Sequence, residues 1–366
     1  MRKIPANSLV SGLLLTLILT VQQQSYCQVP AASWIRPENS ADKSIWGIRN
    51  GIVFGLWPHS LEPAKDENDG GPRGLIRVGY EYMGAIYLIN FIAIEPVVNG
   101  KIEFSEISPS RADEKWGKLM WASDSDKPSG FYPTAKSRGV ITKPDPQHPG
   151  VEELSLYIHM EQFLNGAYPY LRLSIRSDRP EELGLQIFNR EGSAVMDRCV
   201  LTATMGNYAR VRELHLKDKI VDSRELYKGF DDIDFVEKAG YPASQLIKTK
   251  KGDLIALATS NESFSELSSW PQETRYHARW GWRYRPFFKL TQYWRKEGAG
   301  YDPSLQVRVN GRARYWSGGT QDKSAYVPIP GGPSFENFEM REKYYSGQKF
   351  FFGISRRVPS EILDEP

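Results

Sequence analysis

The segment Tyr170-Leu171-Arg172-Leu173-Ser174-Ile175-Arg176 decides the fold class, because every second residue in it is apolar. This two-residue period predicts a β-strand with one buried face and one solvated face. An Asn165-Gly166 turn signal precedes the strand. Similar β-branched and aromatic runs, separated by Gly, Pro and Asn turns, occur at 45–57, 75–82, 87–98, 154–160, 183–189, 195–204, 254–259, 276–294, 305–316 and 349–354.

Many short strands with intervening turns predict an all-β protein, specifically a large antiparallel β-sandwich. Only residues 113–120 and 223–227 carry a weak helical pattern. The 366 residues are 40% hydrophobic and 25% charged, which excludes a disordered chain. No linker or internal repeat interrupts residues 28–366. We therefore expect a single domain, in which two stacked sheets hold roughly 14–18 strands.

The first 27 residues have the pattern of a secretory signal peptide. Arg2 and Lys3 precede an apolar run that is shorter than the roughly 20 residues of a membrane span. Cleavage after Cys27 predicts a secreted or periplasmic protein with no stable membrane span. In a second interpretation, Cys27 becomes a lipid-anchored first residue.

Removal of residues 1–27 lowers the formal net charge from +3 to +1, because this segment contains Arg2 and Lys3 but no acidic residue. So small a charge argues against a nucleic-acid partner. Cys199 is then the one remaining cysteine, which excludes an internal disulfide, and we expect it to be a small buried apolar residue.

Four segments resemble the galactose mutarotase-like (aldose 1-epimerase) superfamily. They are the turn and strand at 166–175, the Phe335-Glu336-Asn337-Phe338-Glu339 stretch, and the openings at 46–51 and 71–80. The resemblance implies a supersandwich fold and an action on sugars. The family's Asn-His-x-Tyr-Phe-Asn block is replaced here by residues 186–192, which contain no histidine. That departure argues against epimerase chemistry by the family's route.

The segment 275–285 alternates basic and aromatic residues. Guanidinium groups bind carboxylate or sulfate in a bidentate geometry, and indole rings stack on the apolar faces of sugars. A strand here predicts a groove for an acidic saccharide, although a buried aromatic face with a solvated basic face gives the same pattern. The candidate binding residues are His277, Arg279, Trp280, Trp282 and Arg283.

Other candidates lie at strand ends and turns. Arg73 follows a Gly-Gly-Pro turn, and Arg77 and Tyr80 share the next strand, so the two arginines are candidates to line the groove mouth. His59 ends a strand, and His159 lies two residues before Glu161, which could orient its imidazole. His159, His59 and Tyr80 are therefore the candidate bases.

Five glutamates lie in or beside aromatic-rich strands: Glu95, Glu103, Glu106, Glu336 and Glu339. Two carboxyl groups that converge within about 5–10 Å suit glycoside hydrolysis. Glu336 is our leading candidate for a catalytic carboxyl. No metal-ligand or cofactor motif occurs, so we expect neither a metal nor a cofactor.

These patterns predict a secreted carbohydrate-active protein, most simply an enzyme acting on an acidic polysaccharide. In a lyase, an arginine would neutralise the uronate carboxylate and a histidine or tyrosine would remove the adjacent proton. In a hydrolase, two glutamates would catalyse the reaction instead. The alternative is a non-catalytic carbohydrate-binding protein of the same fold.

Overall fold

The computed structural model describes residues 33–39, 42–56, 73–127, 137–204, 210–261, 282–284, 290–316 and 326–364. Residues 282–284 are described by their backbone alone. The chain from Ala32 to Pro366 forms one compact unit. The signal-peptide prediction falls on residues outside the described ranges.

In the described ranges the chain forms 24 strands, more than the expected 14–18, because several edge strands are only two to four residues long. The first half contains β1 (Trp34–Ile35), β2 (Ile45–Ile48), β3 (Ile52–Gly55), β4 (Leu75–Tyr82), β5 (Ala85–Val98), β6 (Lys101–Ile102), β7 (Met120–Ser123), β8 (Val140–Thr142), β9 (Glu153–Met160), β10 (Pro169–Arg176), β11 (Arg179–Asn189) and β12 (Arg198–Thr204).

The second half adds twelve strands, two short α-helices and one 3₁₀ turn. They are β13 (Val211–His215), β14 (Ile220–Asp222), α1 (Ser223–Leu226), β15 (Ala239–Pro242), the 3₁₀ turn (Ala243–Gln245), β16 (Ile247–Lys248), β17 (Leu254–Ser260), β18 (Trp282–Tyr284), β19 (Thr291–Lys296), β20 (Gln306–Arg312), β21 (Arg314–Trp316), β22 (Tyr326–Pro328), β23 (Ser334–Arg341), β24 (Gln348–Ser355) and α2 (Pro359–Leu363).

Two large sheets pack face to face, which confirms the predicted all-β sandwich. The first sheet has the strand order β1-β2-β3-β4-β5-β12-β23-β20-β15, with β6 and β18 also pairing with β5. The second has the order β14-β13-β17-β19-β24-β11-β10-β9-β7, with β8 and β16 at its borders. The pairings are antiparallel except that of β18 with β5. No helix in the described part of the chain is long and apolar enough to cross a membrane.

The main hydrophobic core lies between the sheets. On β10 the alternation is as predicted, since Leu171, Leu173 and Ile175 are fully buried in this core. Two hydrogen bonds cross it: the Trp294 indole donates to the Phe338 carbonyl at 2.8 Å, and the Asn90 amide donates to Gln292 at 2.7 Å. These bonds satisfy polar groups that would otherwise be costly in an apolar interior.

Strand β5 is buried on both faces. Its residues Ile92 and Ile94 face the main core, whereas Leu88, Phe91 and Ala93 pack in a second apolar cluster on the outer face of the first sheet. A strand covered on both sides needs an almost continuous apolar sequence, which explains the run at 85–98.

The helix expected at 223–227 is confirmed by α1, whose Asp222 side chain caps the Arg224 amide. The expected helix at 113–120 is wrong. Residues 111–118 form turns, and Glu114 and Gly117 adopt positive φ angles of 59° and 88°, which a right-handed helix does not allow.

We predict that Gly353→Ala destabilises the fold by about 1–3 kcal/mol, because the added methyl group overpacks the site. Gly353 on β24 pairs with Tyr293, and a Cβ atom there would lie 1.9 Å from Cζ of the Tyr293 ring. Urea unfolding would measure the change. Gly150→Ala is the control, since nothing lies within 4 Å of its added methyl group. Equal stability of the two variants would contradict this account.

Candidate functional site

Three strands of the first sheet place two glutamates on its outer face. Val200 of β12 is opposite Glu95 of β5, and Thr202 of β12 is opposite Glu339 of β23. Directly opposed residues in an antiparallel sheet share a face. Leu201, between them on β12, faces the main core. Glu95, Thr202 and Glu339 therefore lie on the side of the sheet away from that core.

One ammonium group joins the two carboxyl groups. Lys238, directly before β15, has its Nζ 2.5 Å from Oε2 of Glu339 and 3.8 Å from Oε2 of Glu95. The two Oε2 atoms cannot be further apart than the sum of these distances, about 6 Å. The Thr202 hydroxyl donates to Oε2 of Glu339 at 3.3 Å. Two of the five candidate glutamates therefore lie close together.

Glu106 is a third carboxyl group of the same site. Its loop is fixed to β5, because the Ser105 amide donates to the Ile94 carbonyl at 3.0 Å and the Ser105 hydroxyl accepts from the Ile94 amide at 2.9 Å. Burial, and then the charge of Glu95, raise the pKa of Glu106 to about 8. We call Glu95, Glu106 and Glu339 the carboxylate site.

The two opposed glutamates have different environments. Burial raises the pKa of Glu95 to about 7; Lys238 acts against this shift and Glu339 adds to it. Lys238 is much nearer to Glu339, and a near cation favours the ionised form of a carboxyl group. Oε2 of Glu95 and Oε1 of Glu339 are buried and accept no hydrogen bond from the described residues. In the described part of the chain, each of these oxygens has only a more distant cation beside it, Lys238 for Glu95 and the two arginines Arg308 and Arg341 for Glu339.

Three guanidinium groups lie beside these carboxyl groups, and we call them the arginine rim: Arg198, Arg308 and Arg341. The NH1 atoms of Arg341 and Arg308 lie 3.6 Å and 3.8 Å from Oε1 of Glu339. Burial lowers the pKa of Arg341, and the positive charges of Arg308 and Arg198 lower it further. Arg198 lies two residues before Val200 on β12 and therefore shares its face of the sheet. The side chains of Arg308 and Arg341 remain 23% and 18% exposed, so solvent reaches the site from this side.

The alternation that forms this site is visible in the sequence. Val307 and Val309 of β20, and Phe338 and Met340 of β23, are core residues. Their neighbours Arg308, Glu339 and Arg341 must then face outward. No sequence pattern marks Thr202 or Lys238 as part of this site, because their positions beside the glutamates depend on the order of the strands.

His159 lies on the second sheet, away from the carboxylate site. Its Nε2 contacts the Ser125 carbonyl at 3.0 Å, so this nitrogen carries the proton, and Nδ1 accepts from Arg190. Burial lowers its pKa to about 4. The structure does not bring Glu161 to this imidazole. Glu161 instead accepts hydrogen bonds from the amides of Arg111, Ala112 and Leu119.

Tyr80 and Arg73 have structural partners. The Tyr80 hydroxyl donates to the Asn50 carbonyl at 2.7 Å, and burial raises its pKa to about 12. The Arg73 guanidinium forms two hydrogen bonds with Asp113, at 2.8 Å and 2.9 Å.

Arg77 and Glu336 are both buried on the first sheet. The Arg77 guanidinium lies 5.5 Å from the centre of the Phe91 ring. Glu336 is the extra residue of a β-bulge, because Asn310 pairs with Asn337 and Gly311 with Phe335. The described contacts do not bring either residue to the carboxylate site.

The side chains of the remaining predicted residues lie outside the part of the chain that the structure describes. His59, His277, Arg279 and Trp280 lie outside the described residues. Trp282 and Arg283 lie on β18, whose backbone pairs in parallel with residues Ile86 and Tyr87 of β5. Cys199 is buried and unpaired, as expected.

A cavity of about 300 Å³ lies at a different place, beside the β10–β11 hairpin. Its charged groups neutralise one another, since Arg357 pairs with Glu181 at 2.7 Å and Arg179 with Glu182 at 3.3 Å. The described residues contain no group of three or more His, Cys, Asp or Glu side chains suited to hold a metal ion. The carboxylate site is therefore the arrangement with the clearest chemistry.

Comparisons with protein-family models, with curated proteins and with solved structures find no match for this chain.

We predict that Glu106→Gln stabilises the protein at high pH relative to low pH. The raised pKa means that folded Glu106 holds its proton where the unfolded chain has lost it. The wild type therefore loses stability as the pH rises from about 4.5 to about 8. The variant lacks this loss. The difference in unfolding free energy between the variant and the wild type should therefore shift by a few kcal/mol in favour of the variant between about pH 5 and pH 9.

Urea unfolding across this pH range measures the effect. Below about pH 4 both side chains are neutral, so that comparison gives the effect of the substitution alone. A difference between the two proteins that stays constant with pH would contradict a protonated, buried Glu106.

His159 should stay neutral down to about pH 4. Because the unfolded imidazole gains its proton near pH 6.5, stability that depends on neutral His159 is present above about pH 6.5 and is lost as the pH falls towards 4. Imidazole ¹H–¹⁵N NMR would follow the titration, with His159→Gln assigning the signal. A transition at pH 6.5 or above would show a solvated imidazole that is available as a base.

Proposed function

We propose that this protein is a carbohydrate-active enzyme that hydrolyses glycosidic bonds of an acidic polysaccharide at the carboxylate site. The observation that carries the proposal is the pair Glu95 and Glu339, held by one lysine within about 6 Å of each other. Glycoside hydrolysis requires one carboxylic acid and one carboxylate on either side of the scissile bond. The different environments of this pair supply both forms.

The different environments of Glu95 and Glu339 assign their catalytic roles. Glu95, whose pKa burial raises to about 7, is the general acid that protonates the leaving oxygen. Glu339, whose Oε2 lies 2.5 Å from the Lys238 ammonium, attacks the anomeric carbon as the bond to that oxygen breaks. Water then displaces the sugar from Glu339 and gives its proton to Glu95. The two Oε2 atoms are at most about 6 Å apart, which is less than the roughly 6.5–9.5 Å of inverting enzymes and so favours the retaining mechanism.

The described residues support hydrolysis over the lyase alternative. A lyase needs a histidine or tyrosine base beside an arginine that neutralises the uronate. Of the candidate bases, His159 lies on the other sheet and both its ring nitrogens have partners. Tyr80 donates to a backbone carbonyl and has a pKa of about 12. His59, the third candidate base, lies outside the described residues, and it stays a prediction together with the candidate residues in 275–285.

Three other expectations also remain proposals. Secretion or a periplasmic location rests on the pattern of residues 1–27. The relation to the galactose mutarotase-like superfamily rests on the four segments quoted above. A non-catalytic sugar-binding role is the alternative function, and it rests on the aromatic and basic residues of 275–285.

The test is hydrolysis of uronate-containing and sulfated polysaccharides by the wild type and by Glu95→Gln and Glu339→Gln. We expect new reducing ends without new unsaturated-uronate absorbance, and an activity loss of about 10²–10⁴-fold in each variant. Because Glu95 must be protonated, the wild-type kcat/KM should fall as the pH rises through about 7. Glu95→Gln should lack this descending limb.

Glu213→Gln is the matched control, because Glu213 lies on β13 of the second sheet. Circular dichroism would verify that each variant is folded. Full activity of both folded variants would refute the assignment of the site. Wild-type retardation in glycan affinity gels without any product would identify a binding protein instead, and unsaturated products would identify a lyase.

A further inference from the structure

The charges around the carboxylate site do not balance. Burial favours the neutral form of Glu95 and of Glu106, through raised pKa values of about 7 and 8. Glu339 is then the main anion facing Lys238 and the arginine rim. Partly buried cations without an anion are costly, so sites of this kind are normally completed by a negative group. The outer face thus holds an excess of positive charge.

The hydrogen-bond donors of the rim are also unsatisfied. The Nε atoms of Arg198 and Arg341 are buried and donate to no acceptor among the described residues. The NH1 atoms of Arg308 and Arg341 lie 3.6 Å or more from Glu339, beyond ordinary hydrogen-bond length. Asp302, whose pKa is lowered in part by the charge of Arg198, already accepts from the Ser304 amide at 2.9 Å. Donors are therefore left for a ligand.

The sheet register places these donors at a defined distance from the general acid. Glu95, Val200, Arg341 and Gln306 form one row across four adjacent strands, because Leu201 pairs with Met340 and Gln306 with Arg341. Arg341 is thus two strand spacings from Glu95, about 10 Å along the row. Val200, a small apolar residue, separates them. A sugar bound at the carboxyl pair can reach the rim with a charged substituent.

We propose that Arg198, Arg308 and Arg341 form a subsite for an anionic substituent, a carboxylate or a sulfate, on the sugar that occupies the carboxylate site. The location beside a scissile bond rests on the proposed function, whereas anion binding itself does not. Guanidinium groups suit this task because they bind planar oxyanions with two parallel hydrogen bonds and stay charged when partly buried. None of these three arginines belongs to the segment 275–285 of the sequence analysis.

Calorimetry on the full chain tests the subsite with four probes: glucuronate, glucose 6-sulfate, glucose and inorganic sulfate. We expect both anionic sugars to bind at least about 10-fold more tightly than glucose, since one charge-assisted pair contributes a little over 1 kcal/mol. Arg341→Gln and Arg308→Gln should remove this preference. Arg341→Lys should restore only part of it, because lysine cannot donate in the bidentate geometry.

Arg176→Gln is the matched control, since Arg176 pairs with Asp178 on the second sheet. Arg308, more exposed than Arg341, keeps the test valid if Arg341→Gln does not fold. Equal binding of glucose and the anionic sugars would overturn the subsite. So would inorganic sulfate binding as tightly as glucose 6-sulfate, because the rim would then be a site for free anions only.

Glu339→Gln separates this proposal from the hydrolytic one. It removes the carboxylate next to the rim, so we expect anionic sugars to bind several-fold more tightly while hydrolysis is lost. Loss of hydrolysis without a preference for anionic sugars would refute the subsite alone. A preference for anionic sugars over glucose, without any hydrolysis, would refute only the proposal that the protein is an enzyme.

Discussion

The two-sided geometry of the β-strand is the constraint on which the site depends. On β23, Phe338 and Met340 are committed to the main core, so Glu339 and Arg341 must face the opposite side. The same alternation on β12 directs Leu201 inward and Thr202 outward. A shift of one residue in either strand would bury the charges in the core. Packing of the sandwich therefore fixes the face on which these charged side chains lie.

The carboxylate site holds groups that are unfavourable for folding. Carboxyl groups that lose solvent favour the neutral form, and the raised pKa values of Glu95 and Glu106 express that cost. Two buried cations of the second sheet have closer carboxylate partners: Lys296 contacts Glu342 at 2.5 Å, and Arg295 forms two hydrogen bonds with Glu182. Perturbed and incompletely paired groups concentrate at functional sites, which is the physical reason for placing the function here.

The fold class and most strands were predictable because they depend on local patterns. The alternation at 170–176 reappears in β10, and the run at 75–82 has the bounds of β4. The helix expected at 113–120 failed because Asp113 and Glu161 organise that segment through contacts with Arg73 and with backbone amides. Such long-range contacts leave no local trace in the sequence.

The site was predictable only in part. Glu95, Glu106 and Glu339 could be proposed from their surroundings, but their convergence depends on the order β5-β12-β23-β20-β15. These strands are distant in sequence, so no spacing rule connects Glu95 to Glu339 or to Lys238. By contrast, the emphasis on His159 followed from its neighbour Glu161, and the fold separates the two because each residue has other partners.

The outer face of the first sheet is divided along β5. Leu88, Phe91 and Ala93 belong to the apolar cluster, whereas Glu95 begins the charged region that extends through Glu339 to Arg308. The apolar cluster is itself buried, so the change from Ala93 to Glu95 separates a covered part of this face from a part that solvent reaches beside Arg308 and Arg341. A ligand of the kind proposed above would therefore meet the charged region and not the apolar cluster. Its charged substituent, more than an apolar sugar face, would decide whether it binds here.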